Sequence, residues 1–85
     1  MKERWILGIQ ISDRVQEVSD LQEILSKYGC SIKTRLGLHE VQGDYCSASG
    51  LILLELTGNS EDFYKLENEL LQLDGVETKK MVFTV

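Results

Sequence analysis

The fold is decided by one stretch of the chain, Gly50-Leu51-Ile52-Leu53-Leu54-Glu55-Leu56-Thr57. Successive side chains of a strand point to opposite faces, and this stretch is apolar at both odd and even positions. A strand that is apolar on both faces is typical of the centre of a sheet. We therefore expect residues 50–57 to be a central strand, with the rest of the chain arranged around it.

The segments before this stretch predict a strand, a helix and a second strand. Residues 4–12 alternate with the two-residue period of a strand, and one apolar face consists of Trp5, Leu7, Ile9 and Ile11. Asp13 is expected to cap a helix that ends at Gly29. Its apolar stripe recurs every three or four residues, at Val15, Val18, Leu21, Ile24, Leu25 and Tyr28.

The second strand is predicted at residues 30–39. One of its faces is expected to hold Ile32, Thr34, Leu36 and Leu38. Cys30, which opens this strand, is expected to be a small buried side chain. Residues 40–49 are polar and are interpreted as a connection to the third strand.

The segments after the central strand predict a second helix and a fourth strand. The helix is capped by Asn59 or Ser60, ends at Gly75 and carries the apolar stripe Phe63, Leu66, Leu70 and Leu73. The fourth strand is residues 76–85, with Met81, Phe83 and Val85 on one face.

The order of these elements, β-α-β-β-α-β, predicts a single α+β domain over residues 1–85, with a ferredoxin-like sandwich fold. A faint internal repeat, in which residues 25–33 parallel residues 71–79, supports two similar halves. In this arrangement strands one and three are central, and both helices cover one face of a four-stranded antiparallel sheet. The other face then exposes apolar side chains, either Leu51 and Leu53 or the alternate set of Ile52, Leu54 and Leu56. We expect a second copy of the chain to cover it, although long Lys and Arg stems are an alternative cover.

The composition excludes several classes of protein. The 85 residues carry a formal net charge of −5, which disfavours binding to nucleic-acid phosphates. The longest apolar run is far below the roughly 20 residues of a membrane helix, and the first residues do not resemble a signal peptide. We expect a cytoplasmic protein with no membrane association and no direct DNA binding.

Residues at the first strand–helix junction are the candidate ligand site. Backbone N–H groups at a helix start bind anions such as an amino-acid carboxylate, and Ser12, Asp13 and Arg14 occupy that position. The alternative is a plain helix cap with a solvated Arg14. Arg35 is a further candidate ligand residue, because it lies on the polar face of strand two. This face, together with the lysines at 79 and 80, could form a small basic patch, and the alternative is that these cations lie on solvated faces.

A second candidate site is a metal site formed by His39 and Cys46. Imidazole and thiolate are good ligands for zinc and nickel, and these residues lie at the two ends of the predicted 40–49 connection. Two ligands are too few for a structural site, which normally has four, so the metal hypothesis needs Asp44 or Glu40 as a further ligand, or two more ligands from a second copy of the chain. The alternative is a turn histidine and a free thiol.

The pattern resembles the ACT-type regulatory domain. Ile32-Lys33-Thr34-Arg35-Leu36-Gly37-Leu38-His39, followed by residues 50–58 and 73–76, is similar to small stand-alone proteins named iron-only hydrogenase system regulators. This resemblance implies a regulatory association. The fold pattern also resembles the regulatory half of the nickel-responsive repressor, but Gly37 stands where that family has a second histidine, so its nickel site is not carried over.

No catalytic constellation appears in the sequence, so we expect a protein that is not an enzyme and needs no cofactor. The favoured hypothesis is a ligand-sensing regulatory module that acts as a homodimer or larger homo-oligomer. It would bind a small molecule such as an amino acid and pass the signal to a protein partner. The alternative is a metal-binding module that uses His39 and Cys46 across a subunit interface.

Overall fold

The computed structural model describes residues 2–12, 18–42 and 45–85, and within these ranges it leaves the side chains of residues 18, 38–42 and 45–49 undescribed. Its elements in chain order are β1 (Glu3–Ile11), α1 (Val18–Lys27), a short 3-10 turn (Gly29–Ser31), β2 (Ile32–Gln42), β3 (Tyr45–Leu56), α2 (Ser60–Leu71) and β4 (Val76–Thr84). The predicted start of the first helix at Asp13 lies outside the described residues.

The four strands form one antiparallel sheet in the order β2-β3-β1-β4. The prediction that strands one and three are central and strands two and four are at the edges is confirmed. β1 pairs along most of its length with both neighbours, for example through Leu7, which lies opposite Leu54 on one side and Lys80 on the other. The fold is the ferredoxin-like α+β sandwich that the sequence predicted.

The hydrophobic core lies between this sheet and the two helices. Its fully buried members come from the predicted apolar faces, namely Trp5, Leu7 and Ile9 of β1, Leu21 and Leu25 of α1, Ile52, Leu54 and Leu56 of β3, and Phe63, Leu66 and Leu70 of α2. Burial of each such side chain contributes about 1.5–3 kcal/mol relative to exposure. Because β1, α1, β3 and α2 all supply buried members, the helices and the central strands depend on each other for stability.

The connection predicted at residues 40–49 is wrong. β2 continues to Gln42 and β3 begins at Tyr45, so both strands extend into that segment. The ladder between β1 and β3 stops at Ile11 and Gly50, whereas β2 and β3 go on pairing as far as Gln42 and Tyr45. The β2–β3 hairpin therefore projects beyond the rest of the described sheet.

The start of β2 also differs from the prediction. Cys30 lies in the 3-10 turn and is exposed, while the neighbouring Ser31 is buried. A register irregularity between Ile32 and Thr34 then puts these two residues on opposite faces, since Ile32 packs against the core and Thr34 does not. A bulge of this kind inserts an extra residue and reverses the alternation that the sequence suggested.

Two smaller features of the described chain complete the fold. Asn59 is the N-cap of α2, and its side-chain oxygen accepts a hydrogen bond from the backbone N–H of Glu61 at 3.0 Å. In the part of the chain that the structure describes, no helix is long and apolar enough to cross a membrane.

Candidate functional site

The face of the sheet opposite the helices, the open face, carries a diagonal apolar stripe. Paired residues of antiparallel strands lie on the same face. Leu36 pairs with Leu53, and Ile6 pairs with Met81. The apolar stripe consists of Leu36 on β2, Leu51 and Leu53 on β3, Ile6 on β1, and Met81 and Phe83 on β4. Three of the six, on the two edge strands, are exposed, and the three on the central strands are partly buried.

A shallow depression of about 270 Å³ lies in the middle of the apolar stripe. It forms at Gly8, whose missing side chain leaves the methyl groups of two leucines uncovered. A Cβ placed at Gly8 would lie 3.7 Å from Leu53 Cδ2 and 4.0 Å from Leu51 Cδ1, which is ordinary van der Waals contact. The open face is therefore apolar and slightly concave at its centre.

Charged pairs border the apolar stripe on two sides. Lys33 Nζ lies 3.9 Å from Glu55 Oε2, and Glu55 also accepts a hydrogen bond from Thr34 Oγ1 at 3.1 Å. On the other side Lys79 Nζ lies 3.9 Å from Glu77 Oε1. Exposed pairs of this kind contribute only about 0–1 kcal/mol to stability. Their effect on the open face is that each of these two borders holds one charge of each sign.

Of the predicted ligand residues, Ser12 and Arg35 are described, and the structure places them apart. The backbone N–H of Ser12 donates to the carbonyl of Gly75 at 2.9 Å, next to a shallow cavity of about 280 Å³. Asp13 and Arg14 lie outside the described residues. Arg35 pairs with Leu54 near the middle of the sheet, and its Nη2 donates to Gln22 Oε1 on α1 at 3.1 Å. Arg35 is thus several positions away from the junction at Ser12, and its guanidinium binds the helix.

Of the two alternatives for these cations, a basic patch and solvated faces, the patch does not form as a single surface. β2 and β4 are opposite edges of the sheet, so Arg35 is separated from Lys79 and Lys80 by the two central strands. Lys79 and Lys80 are also on opposite faces of β4, because Lys79 pairs with Gly8 and Lys80 with Leu7. Adjacent lysines in a strand cannot share a face.

The proposed metal ligands lie in the β2–β3 hairpin, and their side chains are outside the described part. The backbone pairs His39 with Gly50 and Cys46 with Val41, with a register shift between the two pairs. The two residues are therefore on neighbouring strands but not opposite each other. Among the side chains that the structure describes, no group of three or more His, Cys, Asp or Glu is placed to hold a metal ion. The metal site stays a prediction.

A polar cluster that the sequence reasoning missed joins the two helices. The hydroxyl of Tyr28 donates to the carboxylate of Glu69, and Lys27 Nζ lies 3.1 Å from Glu69 Oε2. The hydrogen bond from Tyr28, followed by that from Lys27, lowers the pKa of Glu69 below its ordinary value. The same contacts with Glu69 raise the pKa of Tyr28 and of Lys27. Because about forty positions separate these residues, no local pattern could have revealed the cluster.

The sheet, its strand order and its two helices define a protein of the ferredoxin-like class, and solved structures share this fold. One is an uncharacterized protein from Thermotoga maritima, with a TM-score of 0.80 and 24% identity over 98% of this chain and 100% of that one. Another is CPII from Thiomonas intermedia K12, bound to ADP, AMP and acetate, with a TM-score of 0.57 and 14% identity over 100% of this chain and 92% of that one. A de novo designed protein has a TM-score of 0.53 and 14% identity, covering 99% of each chain.

These similarities establish the fold of the chain, because the sequence identities are too low to carry more. No known family description matches the sequence, and no curated protein matches it. The presence of a designed protein among the similar structures illustrates that this fold is compatible with unrelated functions or with none. Function has to be argued from the surfaces of this chain.

Proposed function

We propose that this protein is a non-catalytic regulatory module that acts as a homo-oligomer and senses a small ligand. The observation that carries the proposal is the apolar stripe on the open face. A contiguous apolar patch on a small protein marks a surface that is covered by a partner. The partner proposed here is a second copy of the chain.

The open face is large enough for a dimer interface. The four strands lie about 4.8 Å apart, which gives the open face a width of roughly 19 Å. Some nine paired residues per strand, at about 3.3 Å per residue, give a length of roughly 30 Å and a flat area on the order of 600 Å². Side-chain relief increases the accessible area of such a face. A stable interface buries about 800 Å² per partner. Packing the two open faces against each other therefore comes close to the area that a stable dimer requires.

The charge distribution is compatible with self-association about a two-fold axis. In such a dimer the same surface patch is used by both copies. An excess of one sign at the borders would bring like charges together. The Lys33–Glu55 and Lys79–Glu77 pairs instead place both signs on either side of the stripe. The apolar stripe of one copy can then meet that of the other without an opposing row of like charges.

Ligand sensing is supported by the fold comparison and by the clefts that open beside the sheet. CPII, which shares this fold, is bound to ADP, AMP and acetate in its solved structure. A ligand bound near a subunit interface changes the association equilibrium whenever its affinity differs between the free and the associated chain. The amino-acid site at Ser12, Asp13 and Arg14 stays a prediction. So does the closer identification with iron-only hydrogenase system regulators, which rests on the sequence of residues 32–39, 50–58 and 73–76.

The proposal is tested by measuring the mass of the protein in solution. Sedimentation equilibrium at micromolar concentration is expected to give at least twice the 9.7 kDa of one chain. Met81→Lys places a charge in the apolar stripe and is expected to weaken association at least about tenfold, which corresponds to about 1.4 kcal/mol.

Leu71→Lys is the matched control. Leu71 is 54% exposed on α2, and Met81 is 55% exposed on the open face, so both changes replace an equally exposed apolar side chain by the same cation. Leu71→Lys is expected to leave the association unchanged. A monomeric wild-type protein, or equal effects of the two substitutions, would overturn the assembly proposed here.

The metal hypothesis is separated from this function by a thermal shift measurement. A ligand that binds only the folded state raises the melting temperature. If nickel or zinc raises it and His39→Ala abolishes the effect, the metal-binding alternative gains over the ligand sensor. If amino acids or nucleotides raise it and metals do not, the ligand-sensing module is supported.

A further inference from the structure

We propose that a small molecule bearing a phosphate group binds in an open cleft at the end of the sheet where β1 begins and β3 ends. The inference deepens the proposed function, on which it rests, by naming the chemical class of the ligand. The cleft has a volume of about 520 Å³ and is lined by Lys2, Glu3, Arg4, Lys33, Glu55, Val85 and residues 56–59. Small-molecule sites have volumes of about 300–1,000 Å³.

Two of the three cations of the cleft lack a carboxylate partner. Among the described residues, Lys2 and Arg4 form no ion pair, whereas Lys33 Nζ lies 3.9 Å from Glu55 Oε2, as far as Lys79 Nζ lies from Glu77 Oε1. Lys27 and Lys80 form shorter ion pairs, and Arg35 donates a hydrogen bond to Gln22. Lys2 and Arg4 are therefore available to a ligand, and Lys33 is held only by a long contact.

The two carboxylates of the cleft are already used by protein donors. Glu3 Oε1 accepts a hydrogen bond from Trp5 Nε1 at 3.1 Å. Glu55 accepts one from Thr34 and faces Lys33. Three cations against two carboxylates leave the cleft with one positive charge in a chain whose net charge is −5. A positive cleft concentrates anions even on an acidic protein, because its field is local.

The kind of cation indicates the kind of anion. The planar guanidinium of an arginine donates two parallel hydrogen bonds to a phosphate or a carboxylate. A phosphate monoester carries about 1.5–2 negative charges at neutral pH, so it can interact with Arg4 and with both lysines at once. The remaining volume of the cleft accommodates an organic group, which can contact the exposed side chain of Val85.

The position of the cleft connects it to the open face. Arg4 pairs with Phe83, which is one end of the apolar stripe. Residues that alternate with the buried Trp5 point to the open face, and Arg4 is one of them. A ligand held by Arg4 thus lies at the margin of the surface proposed to pair with a second copy.

The test is an NMR titration with three probes of known chemistry: inorganic phosphate, phenyl phosphate and glutarate, each at matched ionic strength. Phosphate and phenyl phosphate are expected to shift the backbone signals of residues 57–59 and Arg4 saturably, with phenyl phosphate reaching a Kd on the order of 1 mM or tighter. Arg4→Gln combined with Lys33→Gln is expected to weaken phenyl phosphate binding at least about tenfold. Lys65→Gln is the control, because Lys65 is an exposed cation on α2 outside the cleft.

Three results would overturn the phosphate assignment. These are the absence of saturable shifts, an equal loss of binding in Lys65→Gln, and binding of glutarate as tight as that of phenyl phosphate. Circular dichroism of each variant confirms that it is folded. The mass of the protein is measured in the same samples. If a monomer binds phenyl phosphate, the phosphate-binding cleft is supported and the proposed homo-oligomer is contradicted. If the protein is a dimer that does not bind phenyl phosphate, the homo-oligomer is supported and the phosphate-binding cleft is contradicted.

Discussion

Lys80 connects the edge strand β4 to the hydrophobic core, and replacing it is expected to lower the stability of the protein. Its Nζ lies 4.2 Å from the centroid of the Trp5 ring and 5.2 Å from that of Tyr64, and it forms a 3.0 Å ion pair with Glu67 on α2. The side chains of Lys80 and Glu67 are only 31% and 16% exposed. Such an environment strengthens the ion pair and the cation–π contact relative to open solvent.

We expect Lys80→Gln to lower the free energy of unfolding by about 2 kcal/mol. About 1 kcal/mol comes from the cation–π contact, and about 1 kcal/mol comes from leaving the largely buried Glu67 without its charged partner. In a domain of this size that loss lowers Tm by roughly 8–16 °C. The assay is urea unfolding at fixed protein concentration, followed by the fluorescence of the single Trp5.

Lys79→Gln is the matched control, because Lys79 is the preceding residue on the opposite face and its side chain is 87% exposed. Its effect is expected to stay within about 0.5 kcal/mol. A double-mutant cycle with Glu67→Gln isolates the coupling between Lys80 and Glu67, which we expect to be about 1 kcal/mol. The contribution assigned to Lys80 is contradicted if Lys80→Gln is no more destabilising than Lys79→Gln, or if the cycle shows no coupling.

Three further predictions follow from the described structure. Gly8→Ala is expected to raise the free energy of unfolding by about 0.5–1 kcal/mol, because alanine loses less backbone freedom on folding and its Cβ would meet its neighbours at 3.6–4.0 Å, without a clash. Gly58→Ala is expected to lower the free energy of unfolding by about 1–2 kcal/mol, because Gly58 has a φ of 104°, which is strained for a residue with a Cβ. Urea unfolding measures both, and an equal response would contradict the explanation. The pKa of Glu69 is lowered in the folded protein, so its contribution to stability is present above its unfolded value of 4.5 and is lost as the pH falls through the lower, folded-state pKa. The pKa of Tyr28 is raised, so its contribution to stability is present below its unfolded value of 10.0 and is lost as the pH rises through the higher, folded-state pKa. Glu69→Gln should flatten the acid limb of stability against pH, and an unchanged limb would exclude the cluster as its cause. Cys30 is exposed, so it should react with a thiol reagent in the folded protein at a rate close to that in urea, and strong protection would contradict its placement.

The predicted faces of the strands and helices were largely right because each depends on a short-range period. Trp5, Leu7 and Ile9 alternate, and all are fully buried. Phe63, Leu66 and Leu70 recur at helical spacing, and they too are fully buried. A period of two or of three to four residues can be seen in any window that spans one element, so the core could be predicted almost residue by residue.

The hairpin was misjudged because, among the described strands, its outer part pairs with one neighbour only. Tyr45 and Cys46 pair with β2, whereas the ladder between β1 and β3 stops at Gly50. Pairing between two strands rests on backbone hydrogen bonds and requires no apolar period, so the amino-acid sequence of this segment resembles a polar loop. The bulge between Ile32 and Thr34 produced the other error, since one extra residue shifts the alternation that follows it.

The order of the elements, the central position of β1 and β3, and the apolar character of the open face all follow from periodic patterns in the amino-acid sequence. Which charged groups meet depends instead on how distant segments of the chain pack together. The tertiary structure separates Arg35 from Lys79 by the width of the sheet, places Lys80 over the Trp5 ring, and assembles Lys2, Arg4 and Lys33 around one cleft. The difference comes from the separation along the chain of the residues that interact. Apolar periodicity is imposed by each element's own geometry, whereas a charge acquires its partner only when strand order and register bring distant segments together.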